Sequence, residues 1–462
     1  MIPYRNIYSK YGPFDALILS DKDGYAVAVT GDGELISKSL NHWKVIQETF
    51  NNLENQAKTT GVRVILWPKF GPFKIESGQS GIHIPCENGG HWHISAHIGA
   101  PTKTINGFWY VIIHEGSGPV IENDNANVYT TRVTIENLDV LLNSKNANGL
   151  KIYSLMLARQ VYVEYNGGLG EPDVKTFGIA FRNGNAFTIE QCYVINTHVG
   201  FLSLGSEHGT LITCHYATSG WGEFGYLIPS DVGWAPLAAL EDAGYPKFTT
   251  SSRHCVLINC HFYGTGKTST YTTPNGYTVV PCAFRVAQST LIFPKIEGGE
   301  IYRGFQCDLD TLIINPYVTG TVTSLFAGGY YIVSTIYQFP YENYTLHALL
   351  GKTIVTWFKG FVTPIVTGVV SVPAGGTYVV ARFTVPSGRK LRIHTIAELY
   401  DPDDQIIAEI YNVTDGVTVA SVDGWSDVGW TVSEGKTVEF RLVNSDANAA
   451  HYGNYAFLIS ML

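Results

Sequence analysis

Charge is scarce in this sequence. Only 15% of its 462 residues are Asp, Glu, Lys or Arg, and their balance is a formal net charge of -9. Without a basic stripe to neutralise phosphates or an anionic bilayer, nucleic acid and membrane insertion are not expected partners. The N-terminus, MIPYRNIYSKYGPFDALILS, has polar residues where a secretory signal needs an uninterrupted apolar stretch, and it lacks a small-residue cleavage site, so no signal peptide is read. Long apolar runs are missing too. The charge-free apolar run from Gly360 to Ala381 is interrupted by Pro364, Pro373 and Gly375-Gly376, and reads as strands and turns. Seven cysteines (Cys86, Cys192, Cys214, Cys255, Cys260, Cys282 and Cys307) contain no CxxC pair and are too sparse for a disulfide scaffold, so they read as small buried residues.

What is abundant is glycine (48), tyrosine (28) and aromatic residues in general (13%), a composition that suits many short strands joined by tight turns. One helix is expected, in SLNHWKVIQETFNNLENQAKTTG: Trp43, Ile46, Phe50, Leu53 and Ala57 recur at steps of three and four, Asn41 can cap the start and Gly61 stops the run. No second helix of comparable quality follows before about Tyr341.

The chain also writes nearly the same phrase twice, ITCHYATSGWG from Ile212 and INCHFYGTGKT from Ile258. Aligning on it brings in FTIEQCYV, TLIFPKIEG and TLIINPYVTG, each preceded by a second short strand carrying Phe181, Phe201, Phe224, Phe284, Phe305 or Phe326. A unit recurring about every twenty residues, with strands and no helix, cannot bury its own apolar face, but coils stacked at the ~4.8 Å strand spacing can bury a continuous column. The repeat is therefore read as one rung of a parallel β-helix, with the phenylalanines as its internal ladder.

A helix followed by GVRVILWPKFGPFKI and GIHIP resembles the opening of the pectate-lyase-like right-handed β-helix superfamily, which includes polysaccharide lyases, glycoside hydrolases and viral tailspike or receptor-binding proteins. The resemblance covers roughly residues 31–341. It implies a helix that plugs the open end of the coil and, in organisation, comes nearest to the tailspikes. Neither the paired-aspartate pattern of polygalacturonases nor a calcium-aspartate cluster with a lyase arginine is found. The expected fold is all-β: a right-handed parallel β-helix with an N-terminal capping helix and a C-terminal jelly-roll-like β-sandwich. Its expected divisions are residues 1–38, a small β-meander or attachment module; 39–345, capping helix and β-helix; and 360–462, the sandwich.

Several side-chain groups have both a functional and an ordinary reading. His83, His91, His93 and His97 are dense enough for zinc but lack a fourth ligand at a recognisable spacing, and His215 and His261 read as a structural ladder. Asp401 to Asp404, and the pair Asp423 and Asp427, can offer oxygen ligands to calcium but read as solvated turns; no cofactor is otherwise implied. Trp425 and Trp430 flank the second acidic loop, as a sugar platform or as packing.

The long insertion Pro229 to Arg253 points to a saccharide site. It carries Trp234, Tyr245 and Phe248 with Asp231, Glu241 and Asp242, and should rise beside Glu207 and His208 of the preceding rung. Flat apolar faces suit sugar rings and acids suit hydroxyls. If the chain is an enzyme, Glu207 and Asp231 are the expected catalytic pair. Trp234 and Tyr245 are expected to bind carbohydrate, as are Trp221, Glu223, Tyr271 and Tyr277 at the opposite edge, near Glu171 and Asp173. Three functions stay open: a virion-surface receptor-binding or tailspike-like protein recognising a cell-surface glycan; a polysaccharide-degrading hydrolase or lyase; and a structural adhesin or spike without a saccharide site. The expected partners are a polysaccharide or glycoprotein glycan, two further copies in a homotrimer, and other virion proteins through the N-terminal module. The expected location is a virion surface, or the extracellular space after non-classical release.

Overall fold

The computed structural model describes residues 13–86, 89–96, 110–123, 130–153, 155–182, 187–231, 237–249, 251–314, 316–319, 321–334, 355–358, 361–385, 387, 390–400, 405–422 and 425–461. Trp234, His97, Asp401 to Asp404, Asp423 and residues 1–12 lie outside them, as do the side chains of Phe326, Trp425 and Asp427. The chain falls into two compact units, residues 1–309 with 319–326, and residues 310–318 with 327–462.

The first unit is a parallel β-helix with three faces. Face A stacks Val62–Trp67, Gly90–Ala96, Thr131–Glu136, Leu155–Arg159, Phe187–Glu190, Thr210–Ile212, Val256–Ile258 and Thr290–Ile292. Face B stacks Phe73–Ile75, Ile112–His114, Asp139–Leu142, Tyr162–Tyr165, Tyr193–Ile195, His215–Gly222, His261–Gly266 and Lys295–Glu297. Face C stacks Ser80–His83, Ser117–Asn123, Ala147–Tyr153, Phe177–Arg182, Val199–Ser203, Phe224–Ile228, Cys282–Val286 and the start of Glu300–Ile314. Every pairing within these stacks is parallel, and the chain visits A, B and C in turn, giving eight rungs among the described residues between Val62 and Cys307.

The repeated phrase is the corner from A to B. Asn137, Gln160, Gln191, Thr213, Asn259 and Phe293 occupy it in rungs three to eight, all left-handed with φ between 50° and 56°. A single residue at this φ turns the chain through the corner from one short strand into the next. The next residue points inward, and in consecutive rungs it is Cys192, Cys214 and Cys260, all fully buried. All seven cysteines are free and buried, as expected of small apolar side chains.

On face C the stacked rings are Phe201, Tyr226, Phe284 and Phe305, with centroids 4.7 to 5.2 Å apart and planes within 14° of parallel. Phe284 and Phe305 pair as expected and both are fully buried. Two other members of the expected ladder do not join this stack. Phe224 faces outward beneath the insertion and Tyr226 takes its place inside, while Phe181 pairs with Ser203 and not with Phe201. Strand identity follows a small residue, not the phenylalanine: Gly178, Gly200, Gly225 and Ala283 hold equivalent positions. A Cβ added to Gly178 would lie 2.2 Å from Val194 Cγ1, and one at Gly200 would lie 2.6 Å from the Gly225 carbonyl.

The expected helix, α1, spans His42–Thr59; Asn41 Oδ1 accepts from Lys44 N, and Val45, Ile46, Thr49, Phe50, Leu53 and Ala57 are buried. It closes the open end of the coil. Gln47 donates to the His83 carbonyl (2.8 Å) and accepts from the His83 amide (2.8 Å), so one side chain satisfies a strand edge that has no preceding rung. The N-terminal strands β1 (Ala16–Ser20), β2 (Ala26–Thr30) and β3 (Leu35–Ser39) form the expected meander, and β1 also pairs in parallel with Val62–Trp67, which makes it an extension of face A. No described helix is long and apolar enough to cross a membrane.

The second unit contains a β-sandwich. Phe361–Val372, His451–Met461, Leu391–Tyr400 and Trp425–Val432 form one antiparallel sheet; Thr377–Thr384, Thr437–Asn444, Ile406–Asn412 and Val417–Val422 form the other. Val372, Ile393 and Val432 from the first pack on Ile406, Ile410, Val438, Phe440 and Leu442 from the second. Trp430 packs against this core, which settles its reading as packing.

Candidate functional site

Glu207 and Asp231 are each occupied by internal contacts. Glu207 Oε1 accepts from Arg253 Nε (2.7 Å), tying two successive turns together. Asp231 Oδ1 accepts from Leu237 N (3.1 Å), the first residue of α2 (Leu237–Asp242), so it acts as a cap for that short helix. The insertion was expected to raise an aromatic wall. Instead it folds down over face C, where Leu237, Leu240, Tyr245 and Phe248 pack on Phe177, Leu202, Phe224 and Leu227. Burial of Tyr245 and Phe248 (4% and 5% exposed) removes them as open stacking surfaces. The apolar stretch outweighed its loop-like composition because the outward residues of face C are themselves apolar.

The residues expected at the other edge do meet, in a closed polar knot. Glu223 is fully buried and accepts from Tyr245 (2.6 Å), Tyr271 (2.7 Å) and Lys175, with Lys267 Nζ at 3.2 Å. Lys267 also reaches Glu171 (3.0 Å), which lies 3.4 Å from His198 Nε2. Burial alone would raise the Glu223 carboxyl, but Lys175 and the hydrogen bonds outweigh it and hold it below the ordinary range. Burial, with help from Lys175, pushes His198 down to about 4. Tyr245, Tyr271 and Glu223 therefore fasten the insertion to the B-to-C edge and leave no room for a sugar between them. Trp221 is half-buried, donating to the Asn196 carbonyl (2.7 Å), and Asp173 pairs with Lys145 (3.5 Å). Tyr277, 38% exposed, stays open.

An open groove lies elsewhere, on face B, and was not foreseen. About 550 Å³ in volume, it is lined by Asn137, Asp139, Gln160, Tyr162, Gln191, Tyr193 and Thr213. The lining follows from the rung. Left-handed corners turn Asn137, Gln160, Gln191 and Thr213 toward one side, and the first residue of each B strand stands beside them. Register pairs Asp139 with Tyr162, Tyr162 with Tyr193, Tyr193 with His215 and His215 with His261.

The rings in this column part company. Tyr193 stacks on His215 (4.5 Å, 3°), toward the later rungs, whereas Tyr162 makes its ring contact with Tyr110 (6.4 Å), toward the earlier ones. One face of Tyr193, which is 45% exposed, therefore borders the groove. Tyr110 and Tyr162 donate to the same oxygen of Glu164 (2.5 and 2.8 Å), and burial together with that carboxylate keeps both phenols firmly protonated. Asp139 has no such donor. Burial pushes its carboxyl up to about 7.

The repeat alignment already held part of this signal. Tyr193, His215 and His261 each follow a repeated cysteine, but recurrence alone reads as packing; only the register shows where the rings separate. Among the described residues no three His, Cys, Asp or Glu side chains converge as a metal site, and His93 instead meets Glu136 (2.8 Å).

No protein-family model and no curated protein matches the sequence. Solved structures similar to it include the tailspike protein of Acinetobacter baumannii bacteriophage Fri1, a capsular polysaccharide depolymerase, at 13% identity over 89% of this chain and 82% of that one, with a TM-score of 0.32. They also include the tailspike protein of Acinetobacter baumannii phage AM24 (11% identity, 96% and 86% covered, TM-score 0.24) and the enzymatically active domain of tailspike protein 4 of bacteriophage CBA120 (11%, 94% and 67%, TM-score 0.23).

Proposed function

We propose that this chain is a virion-surface, glycan-recognising protein of the tailspike kind, and that the saccharide lies in the face B groove. One observation carries the reading: the aromatic column parts between Tyr162 and Tyr193, opening a tyrosine face inside a rim of carboxamides. A flat apolar face takes a sugar ring, and neighbouring amides take its hydroxyls. The groove is preferred to the edge of Glu207, Asp231 and Trp234 because the insertion's Tyr245 and Phe248 are buried and offer no open stacking face. Assembly as a homotrimer and attachment to other virion proteins through the N-terminal strands belong to the same proposal. The test is binding of host-surface glycans on an array. Tyr193→Ala should weaken affinity by about 1–3 kcal/mol, a magnitude taken from stacking on other flat ligands, while Glu207→Gln leaves it unchanged. Wild-type binding by Tyr193→Ala, with loss in Asp231→Asn, would return the site to the insertion.

A second reading, cleavage of the bound polysaccharide, is favoured by Asp139 and Glu164. They stand on adjacent strands two positions apart, on the order of 8 Å between α-carbons from strand spacing and rise, close enough for both side chains to reach one glycosidic bond. A carboxyl pushed up to about 7 can donate a proton to the departing oxygen near neutral pH. Release of reducing ends that disappears in both Asp139→Asn and Glu164→Gln supports cleavage; release unchanged in either variant removes it.

A further inference from the structure

If the groove holds a sugar, its walls also select which sugar. Three carboxamides, two phenols and one hydroxyl line it, and the one carboxyl is Asp139; no Lys, Arg or His side chain is among the lining residues. No described residue donates a hydrogen bond or forms an ion pair with the Asp139 carboxyl, while the Tyr110 and Tyr162 hydroxyls nearby are both turned to Glu164. The charged neighbour on the adjacent strand, Glu164, is also an acid. Resting on the groove reading above, we propose that this groove seats an amino sugar whose ammonium pairs with Asp139, and that it turns away uronic and other acidic sugars.

The physical case is one of a missing partner. A half-buried carboxyl without a donor has lost water and gained nothing, and its pKa of about 7 reports that loss. A neutral sugar supplies hydroxyl donors and relieves it in part. An ammonium supplies charge as well as donors, in a site where screening by water is reduced. A sugar carboxylate brings a second anion beside Asp139 and Glu164 with no cation to receive it, which costs affinity by repulsion. Meanwhile the Tyr193 face and the Gln160 and Gln191 amides hold the ring without regard to charge, so Asp139 sets selectivity and Tyr193 sets affinity.

The experiment uses the whole chain and three tetrasaccharide probes: a glucosamine tetramer, its N-acetylated counterpart and a galacturonic acid tetramer, titrated by calorimetry at pH 7 and low salt. The glucosamine tetramer should bind at least tenfold more tightly than the N-acetylated one, and the acidic tetramer weakest of all. Asp139→Asn should remove the first preference, while Tyr193→Ala weakens all binding alike. Equal binding of the acidic probe, an unchanged ranking in Asp139→Asn, or no binding of any probe at millimolar concentration overturns the amino-sugar assignment. So does an Asp139→Asn variant that keeps every affinity and loses only reducing-end release, because Asp139 is then a proton donor. Wild-type binding that Tyr193→Ala leaves untouched instead overturns the groove itself.

Discussion

At the scale of single residues, Glu223 shows how a fully buried charge is kept. Two lysines and two tyrosine hydroxyls surround it, and its carboxyl titrates below the ordinary range despite burial. A lowered folded-state pKa contributes stability that is fully present above the unfolded value near 4.5 and is lost as pH falls through the folded value. Unfolding on acidification is therefore expected to begin only below about pH 4.5 on account of this residue. Glu223→Gln leaves Lys175 and Lys267 short of their counter-ion and should cost about 3–5 kcal/mol. Since Tyr245 hangs on the same carboxylate, limited proteolysis should cut the 237–248 segment first in that variant, and an uncleaved insertion would show that its apolar contacts suffice alone.

At the scale of elements, each rung is registered by its small residues as much as by its large ones. Phe284→Ala opens a hole between Tyr226 and Phe305 and should cost about 3–5 kcal/mol, read from a denaturant midpoint with unchanged slope. Gly178→Ala, whose new methyl would collide with Val194, should cost about 1–3 kcal/mol by overpacking. The capping helix and the rung period were legible in the sequence because both are local periodicities, and the cysteine phrase marked successive rungs, although only the structure shows that it lies at the A-to-B corner. The interior column was legible only in part. Matching phenylalanine to phenylalanine put Phe224 inside, where the structure has Tyr226, whose hydroxyl is satisfied by the Cys214 carbonyl (2.5 Å) and so tolerates burial. The groove was illegible for a different reason. Asp139, Tyr162 and Tyr193 are separated by more than twenty residues each, and neighbours across rungs are set by register, which the lengths of unlike loops conceal.

At the scale of the whole molecule, the proposed trimer has a simple check. Tyr378, Val379 and Val417, on one sheet of the sandwich, are between 42% and 50% exposed, and apolar side chains left in water invite a partner. Light scattering of the intact chain should return three times 50.7 kDa, and a mass of 50.7 kDa at micromolar concentration would remove the trimer. The left-handed corners bear on more than the path of the chain. Asn137, Gln160, Gln191 and Thr213 hold a backbone shape that glycine would adopt with less strain, by roughly 1–2 kcal/mol apiece, yet they are the same residues that rim the groove. Stability and recognition thus pull on one set of positions in opposite directions. Gln191→Gly is expected to raise the melting temperature while blunting glycan binding. On the glycan reading proposed above, substitution among Asn, Gln and Thr at these rim positions is expected to alter what the groove binds while the coil beneath stays as it is.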